Sequence, residues 1–223
     1  MILPERTLCI HGWGTSPAVW TPFFDQLPVA PDFGAARLPK DLTAVVVDAG
    51  NELAAETLIG WSLGGMLALA AIDAIPTVRR CVLIGSAPVF VGRGAWSSAV
   101  VNRMRRAYRR DPLAVRETFL ARHLPGLSIP EPVDGVEAQD AGLAFLETVD
   151  LTDAVARLAI PILWLHGSED SLFQLPTEAE ARKLLPKSQL TYHPYRGLGH
   201  APFLENPGQC RNDLNAFFQY CDS

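Results

Sequence analysis

The sequence predicts an α/β fold: a mostly parallel sheet flanked by helices, with an inserted helical segment. Three observations predict it. Short apolar runs alternate with helical patterns, the rhythm of parallel strands joined by crossover helices. The runs tend to end in glycine-rich or polar loops, as expected where functional loops gather at strand carboxyl ends. Between Val89 and Leu151 the rhythm gives way to helical patterns with no strand. The expected division is a core of residues 1–88 and 152–223 and an insertion of residues 89–151.

The elements follow in chain order. Thr7 to Ile10 is an apolar run opening into His11-Gly12-Trp13-Gly14, and a helix is expected to begin near Ser16-Pro17, since proline suits the first helical turn. The glycine-rich loop is either a plain strand-to-helix turn or one that aims a backbone N–H at a neighbouring site. Asp32 to Pro39 reads as a short strand and its exit. Leu42 to Leu53 admits two readings. Val45-Val46-Val47 has strand propensity, but a strand there leaves too little chain for a crossover before Leu58-Ile59. As a helix it places Leu42, Val45, Val46, Ala49 and Leu53 on one face, and this reading is preferred. Leu58-Ile59 then runs into Gly60-Trp61-Ser62-Leu63-Gly64, the G-x-S-x-G pattern of a sharp strand-to-helix turn that projects a serine hydroxyl.

Val78 to Ile84, with Cys81-Val82-Leu83-Ile84 as its apolar run, is the next strand. In the insertion, Val100, Val101, Met104, Ala107 and Tyr108 form a helical stripe, Asp111-Pro112 restarts a helix as cap and first residue, and a third helix spans about Val136 to Thr148. Ile160 to Leu165 returns to strand and ends in His166-Gly167-Ser168-Glu169-Asp170. A helix over Thr177–Leu185, a strand near Leu190–Tyr192, a loop Gly197–Phe203 and a helix from Gly208 to Tyr220 complete the chain.

Composition narrows the class. At 223 residues and 48% hydrophobic, the chain has ample material for one core, so disorder is excluded. A net charge of −5 argues against general nucleic-acid binding. No run is long enough to cross a bilayer, and the N-terminus has no signal-peptide pattern. Cys9, Cys81, Cys210 and Cys221 are scattered, with no C-x-x-C pair. The expectation is a soluble, cytoplasmic monomer with no membrane or nucleic-acid partner.

A serine that attacks a carbonyl needs a base, a carboxylate to orient the base, and donors for the oxyanion. Ser62, Asp170 and His200 stand in that chain order, each just past an apolar run. Five histidines compete for the role of base. His11 and His166 precede glycines and read as loop supports, His193 lies in or beside a strand, and His123 falls in the insertion. His200, in Gly-Leu-Gly-His-Ala-Pro-Phe, is preferred. For the acid, Glu169, Asp150 and Asp153 stand beside Asp170 as alternatives; Asp170 is preferred. The oxyanion donors are expected to be the N–H groups of Leu63 and Trp13. This chemistry requires no metal or organic cofactor.

Beyond these features the chain resembles the pimeloyl-[acyl-carrier protein] methyl ester esterases, an α/β-hydrolase family of biotin synthesis. The likeness rests on His11-Gly12-Trp13-Gly14 with Val19-Trp20, Gly60 to Gly65, Ser86-Ala87-Pro88, Gly142-Leu143, Thr148-Val149-Asp150-Leu151 and His200-Ala201-Pro202-Phe203. It implies an α/β-hydrolase fold with a helical lid over residues 89–151. It also implies a substrate ester lying between Trp13, Leu63, His200 and the segment from Phe119 to His123. Two departures stand out: no strand precedes Thr7, and the usual Asp-x-Pro-Gly-x-Gly loop is reduced to Arg37-Leu38-Pro39.

Charge bears on the partner. From Arg93 to Arg122, eight arginines face Asp111 and Glu117, a local +6 that leaves −11 on the remaining chain. Arg105, Arg106, Arg109, Arg110 and Arg122 are therefore candidates for docking an acidic acyl carrier protein, and arginine suits a phosphopantetheine phosphate. A solvated helix face remains the alternative. Two other functions stay open: a broad short-chain carboxylesterase or thioesterase with the same residues, and a non-catalytic binding protein of the same fold.

Overall fold

The computed structural model describes residues 3–92, 96–174 and 176–222. Five strands form one parallel sheet: β1 (Thr7–Ile10), β2 (Thr57–Trp61), β3 (Arg80–Ile84), β4 (Ile162–Gly167) and β5 (Leu190–Tyr195), lying side by side in chain order. All five therefore end at the same edge. Ile10 pairs with Gly60 and Trp61 with Ile84, so the segments that follow β1, β2 and β3 emerge as neighbours.

Strands β1 to β4 are buried along their whole length and largely apolar because both faces are covered, whereas β5, at the sheet edge, is only partly buried. Alternate residues sort into two cores. Leu8, Ile10, Leu58, Cys81, Leu83, Ile162 and Trp164 face one way, against α1 (Pro39–Glu52), α2 (Leu63–Ala71), α5 (Val136–Thr148) and α7 (Glu178–Leu184). Cys9, Ile59, Trp61, Val82, Ile84, Leu163 and Leu165 face the other. They meet Val19, Trp20, Phe23 and Phe24 together with Phe203 of α8 (Pro202–Glu205) and Leu214, Phe217 and Phe218 of α9 (Pro207–Cys221). The preferred helix over Leu42–Leu53 is present as α1, with Leu42 and Val46 buried.

Between β3 and β4 stand α3 (Ser98–Tyr108), α4 (Pro112–His123), α5 and the short α6 (Thr152–Val155). Asp111 caps α4, accepting from the Ala114 N–H at 3.0 Å. The insertion is pinned at its neck, where Val89 bridges Asp150 and the Leu151 N–H donates to the Pro88 carbonyl at 3.0 Å.

Two expectations need correction. No strand forms over Asp32–Pro39: the Asp32 carboxylate accepts from the Gly34 N–H at 2.9 Å, a local turn that competes with sheet pairing. The contact with β1 is made earlier, by Val29, whose carbonyl accepts from the Cys9 N–H at 2.9 Å. The helix expected near Ser16 is a single 3-10 turn, Pro17–Trp20, and Pro22 lies just beyond it without an N–H to continue the ladder.

Helix α2 lies hard against β1. A Cβ on Gly64 would come within 2.1 Å of the Ile10 carbonyl oxygen, and main chain on both sides leaves nothing flexible to yield. Gly64→Ala is expected to destabilise the fold by about 1–3 kcal/mol or more. Urea unfolding would read this as a lower midpoint at unchanged slope; an unchanged midpoint would contradict the close approach.

Candidate active site

The serine turn is tight because β2 becomes α2 across one residue. Ser62 sits at φ 57°, ψ −122°, a left-handed conformation costing a non-glycine residue about 1–3 kcal/mol. Neighbouring bonds impose it. The Ser62 N–H donates to the Ile84 carbonyl at 3.0 Å, and its own carbonyl accepts from Ser86 Oγ at 2.8 Å and from the Gly65 N–H at 3.0 Å. Leu63 is the first residue of α2, so its N–H has no acceptor within the helix. Gly12 backs onto Ser62: a Cβ there would stand 3.2 Å from the serine Cβ.

Of the four carboxylates weighed, Asp170 alone bonds His200, accepting from Nδ1 at 2.9 Å with both side chains buried. Asp150 and Glu169 are exposed; Asp150 accepts from the Thr152 N–H and Glu169 from Ser168 Oγ. The Leu172 and Phe173 N–H groups donate to the other Asp170 oxygen at 2.8 and 3.1 Å. Burial raises the Asp170 carboxyl, but the His200 charge and hydrogen bond, with His166 and the Leu172 N–H, outweigh it and hold the group below the usual carboxylate range. With Nδ1–H given to Asp170, His200 Nε2 is left as an acceptor.

The His200 loop is fixed from three sides. Trp61 Nε1 donates to the His200 carbonyl at 2.9 Å. Glu205 accepts from the N–H groups of Gly199 and Ala201 at 2.8 and 3.2 Å. Phe173 stacks on the imidazole, with centroids 5.9 Å apart and planes at 14°. Sequence reasoning missed Glu205; its position in a first helical turn, five residues after the histidine, was the available signal.

His166 supports the acid loop, with Nε2 3.1 Å from the Phe173 carbonyl and 3.4 Å from Asp170. His11 supports its own loop, donating from Nδ1 to the Gly12 carbonyl at 2.9 Å. His193 lies in β5 against Tyr195. His123, the last residue of α4, meets Ser171 Oγ at 2.7 Å, one residue beyond Asp170, and its ring packs on Phe119 and Trp96. Burial, then the Arg122 and His200 charges, push His123 down to about 4.

Above Ser62 is a narrow apolar cavity of about 20 Å³, walled by Trp13, Phe90, Trp96, Met104, Phe119 and Leu143 among others. Trp96, Met104 and Phe119 also face an open groove of about 280 Å³ with Val115, Arg122 and His123. Trp13 and Phe119 share that cavity with Ser62, and Leu63 follows the serine in the chain; His200 is held through its carbonyl to Trp61, the residue before Ser62, and His123 lines the adjoining groove. A larger hollow, about 350 Å³, lies between residues 3–7 and 24–29 and has no candidate site residue in its wall.

The arginines separate. Arg105 bonds Asp140 and Glu147 of α5, and Arg109 meets Asp140 at 2.6 Å. Arg105 is thereby corrected from a docking candidate to an internal cross-link, because its charge is already met. Arg116 is buried, donating to the carbonyls of Gly14, Ile129 and Pro130. Arg106, Arg110 and Arg122 are exposed and, among the described residues, unpaired. Arg93 lies outside the described residues. Among those described, no cluster of three metal-ligating side chains occurs and no helix is long and apolar enough to span a membrane.

Residues 7–212 match the model of the alpha/beta hydrolase family. The chain is 30% identical to the pimeloyl-[acyl-carrier protein] methyl ester esterase of Xanthomonas axonopodis pv. citri, over 93% of this chain and 92% of that protein. It is 24% identical to the enzyme of the same name from Aliivibrio salmonicida, over 94% and 90%. Among solved structures, an esterase from Exiguobacterium antarcticum superposes with a TM-score of 0.75 at 17% identity, covering all of this chain and 94% of that one. A thermophilic esterase from Thermogutta terrifontis gives 0.73 at 20%, covering 100% and 92%. These two are similar in fold.

Two measurements follow from the geometry. Ser62→Gly relieves the strained torsion, so melting temperature should rise, by up to about 1–2 kcal/mol of stability; a lower melting temperature would contradict the strain. Asp134 offers the second. Burial, then the charge of Asp32, raise its carboxyl to about 6, so the folded state resists ionisation that the unfolded chain accepts from about pH 4. Its contribution to stability is therefore fullest below the unfolded value and declines as pH rises through about 6. The melting-temperature difference between Asp134→Asn and wild type should move in the variant's favour from pH 4.5 to pH 8; a flat difference would refute it.

Proposed function

The chain belongs to the alpha/beta hydrolase family, and from that membership we propose that it hydrolyses a carboxylic ester through an acyl-enzyme on Ser62. The observation that carries the reading is the buried Asp170–His200 bond set beside the strained serine turn on one sheet edge. Ser62 Oγ attacks the ester carbonyl and gives its proton to His200 Nε2. Asp170, already ionised, holds the imidazole in the required tautomer and stabilises the cation that forms. The N–H groups of Trp13 and Leu63 receive the oxyanion. His200 then protonates the departing alkoxide, and a water molecule deprotonated by the same imidazole releases the acid and restores Ser62.

The substrate we favour is the methyl ester of a pimeloyl group carried on acyl carrier protein. Three features support it: relatives of that name cover nearly the whole chain; the cavity above Ser62 admits only a small group, while the adjoining groove suits an apolar chain; and Arg122 lines that groove, with Arg106 and Arg110 exposed on the same insertion. The insertion acts as a lid, with the carrier docking on its basic surface.

Replacing Arg106, Arg110 and Arg122 together with Ala should lower kcat/KM for a carrier-bound methyl ester by about tenfold or more and flatten its salt dependence. Turnover of a p-nitrophenyl acyl ester should be spared. Equal loss on both substrates would sink the docking reading. Equal kcat/KM for both substrates in the wild type would favour a broad short-chain carboxylesterase or thioesterase. Ser62→Ala should abolish both activities; unchanged activity would favour a non-catalytic protein.

A further inference from the structure

The loop His11–Gly14 leaves β1 carrying one of the two proposed oxyanion donors, and its grip comes from the insertion rather than from the sheet. Gln139 of α5 holds it twice. Its main-chain carbonyl accepts from Trp13 Nε1 at 2.9 Å, and its side-chain Oε1 accepts from the Gly14 N–H at 2.9 Å. Gly14 is left-handed, at φ 74°, and its carbonyl accepts from Arg116 Nε of α4 at 2.6 Å. On the far side Gln139 Nε2 faces Asp134 Oδ2 at 3.4 Å. That contact decides which end of the amide points at Gly14, since only the NH2 can face a carboxylate. Gln139, Arg116 and Asp134 are all buried.

A buried amide and a buried carboxylate cost desolvation energy, and here the bonds they make converge on one short loop. We propose that Gln139 is a positioning residue for acyl transfer: with Asp134 orienting it, it fixes Trp13 from both sides and so aims the Trp13 N–H at the developing oxyanion. Holding the indole and the peptide that follows leaves little freedom at the torsions of Trp13. The effect belongs to the transition state more than to the bound ester, because the donor matters most when charge develops on oxygen. This assignment rests on the ester-hydrolase reading above.

The test uses Gln139→Met, which removes both side-chain contacts at similar volume, and Gln139→Asn, which keeps the amide but withdraws it from Gly14. Both are assayed on a p-nitrophenyl ester, with melting temperature measured alongside. Each should lower kcat by about 10- to 100-fold, as for a misplaced donor and less than the roughly 100- to 1000-fold of a donor removed outright, with KM within about twofold. Affinity for an alkyl boronic acid, whose tetrahedral serine adduct places an oxygen in the same site, should fall in step with kcat. If Gln139→Met does not fold, Gln139→Asn decides alone. Unchanged kcat in a folded variant, or loss seen only in KM or in melting temperature, overturns the assignment. When Ser62→Ala abolishes wild-type hydrolysis but the Gln139 variants match wild type, this assignment alone falls; absence of any ester hydrolysis by the wild type overturns both.

Discussion

The site depends on one reversal of the chain, where β2 turns into α2 across Ser62. A turn that sharp is tolerated only where main chain can approach main chain, and the approach of α2 to the Ile10 carbonyl across Gly64 supplies that closeness. The strain at Ser62 is held by bonds to β3 and to Ser86, outside the turn itself. The Ser62 hydroxyl, proposed to react, is therefore placed by the sheet, and the sheet's rigidity is what makes the placement precise.

The buried carboxylate poses the opposite problem. Asp170 has been taken out of water, which alone would favour its protonated form. Two backbone N–H groups, His200 and the neighbouring His166 keep it ionised instead. An ionised acid holds the imidazole in the tautomer that can accept a proton, so the local electrostatics and the proposed chemistry require the same arrangement. His123 extends the arrangement outward, tying the end of α4 to Ser171 beside the acid. Helices of the insertion thus touch both the acid loop and, through Gln139 and Arg116, the loop of Trp13.

Much of this was legible in the sequence, and the reasons are physical. The first four strands read as strands because both faces are buried, which leaves nearly continuous apolar runs. The serine turn is a local constraint written in adjacent glycines. Asp170 and His200 could be found because a parallel sheet brings the ends of separated strands together. The rest depended on partners distant in the chain. Gln139, Glu205 and Arg116 look like ordinary polar residues of helices until the loops they bond are folded against them. The excess of arginines in the insertion read as a basic surface, yet Arg105 meets acids of α5 and Arg116 is buried among carbonyls. The strand expected at Asp32–Pro39 failed because an aspartate satisfied its neighbour's N–H locally.

Strand order follows chain order across the whole sheet. During synthesis, each new strand can join an edge already in place, with no need to insert between earlier neighbours. The serine turn belongs to the second strand and Asp170 follows the fourth, but His200 lies beyond the fifth. A nascent chain thus carries the proposed nucleophile well before the proposed base has been made. On the proposed mechanism, products that stop short of His200 would carry the serine turn and still be inactive.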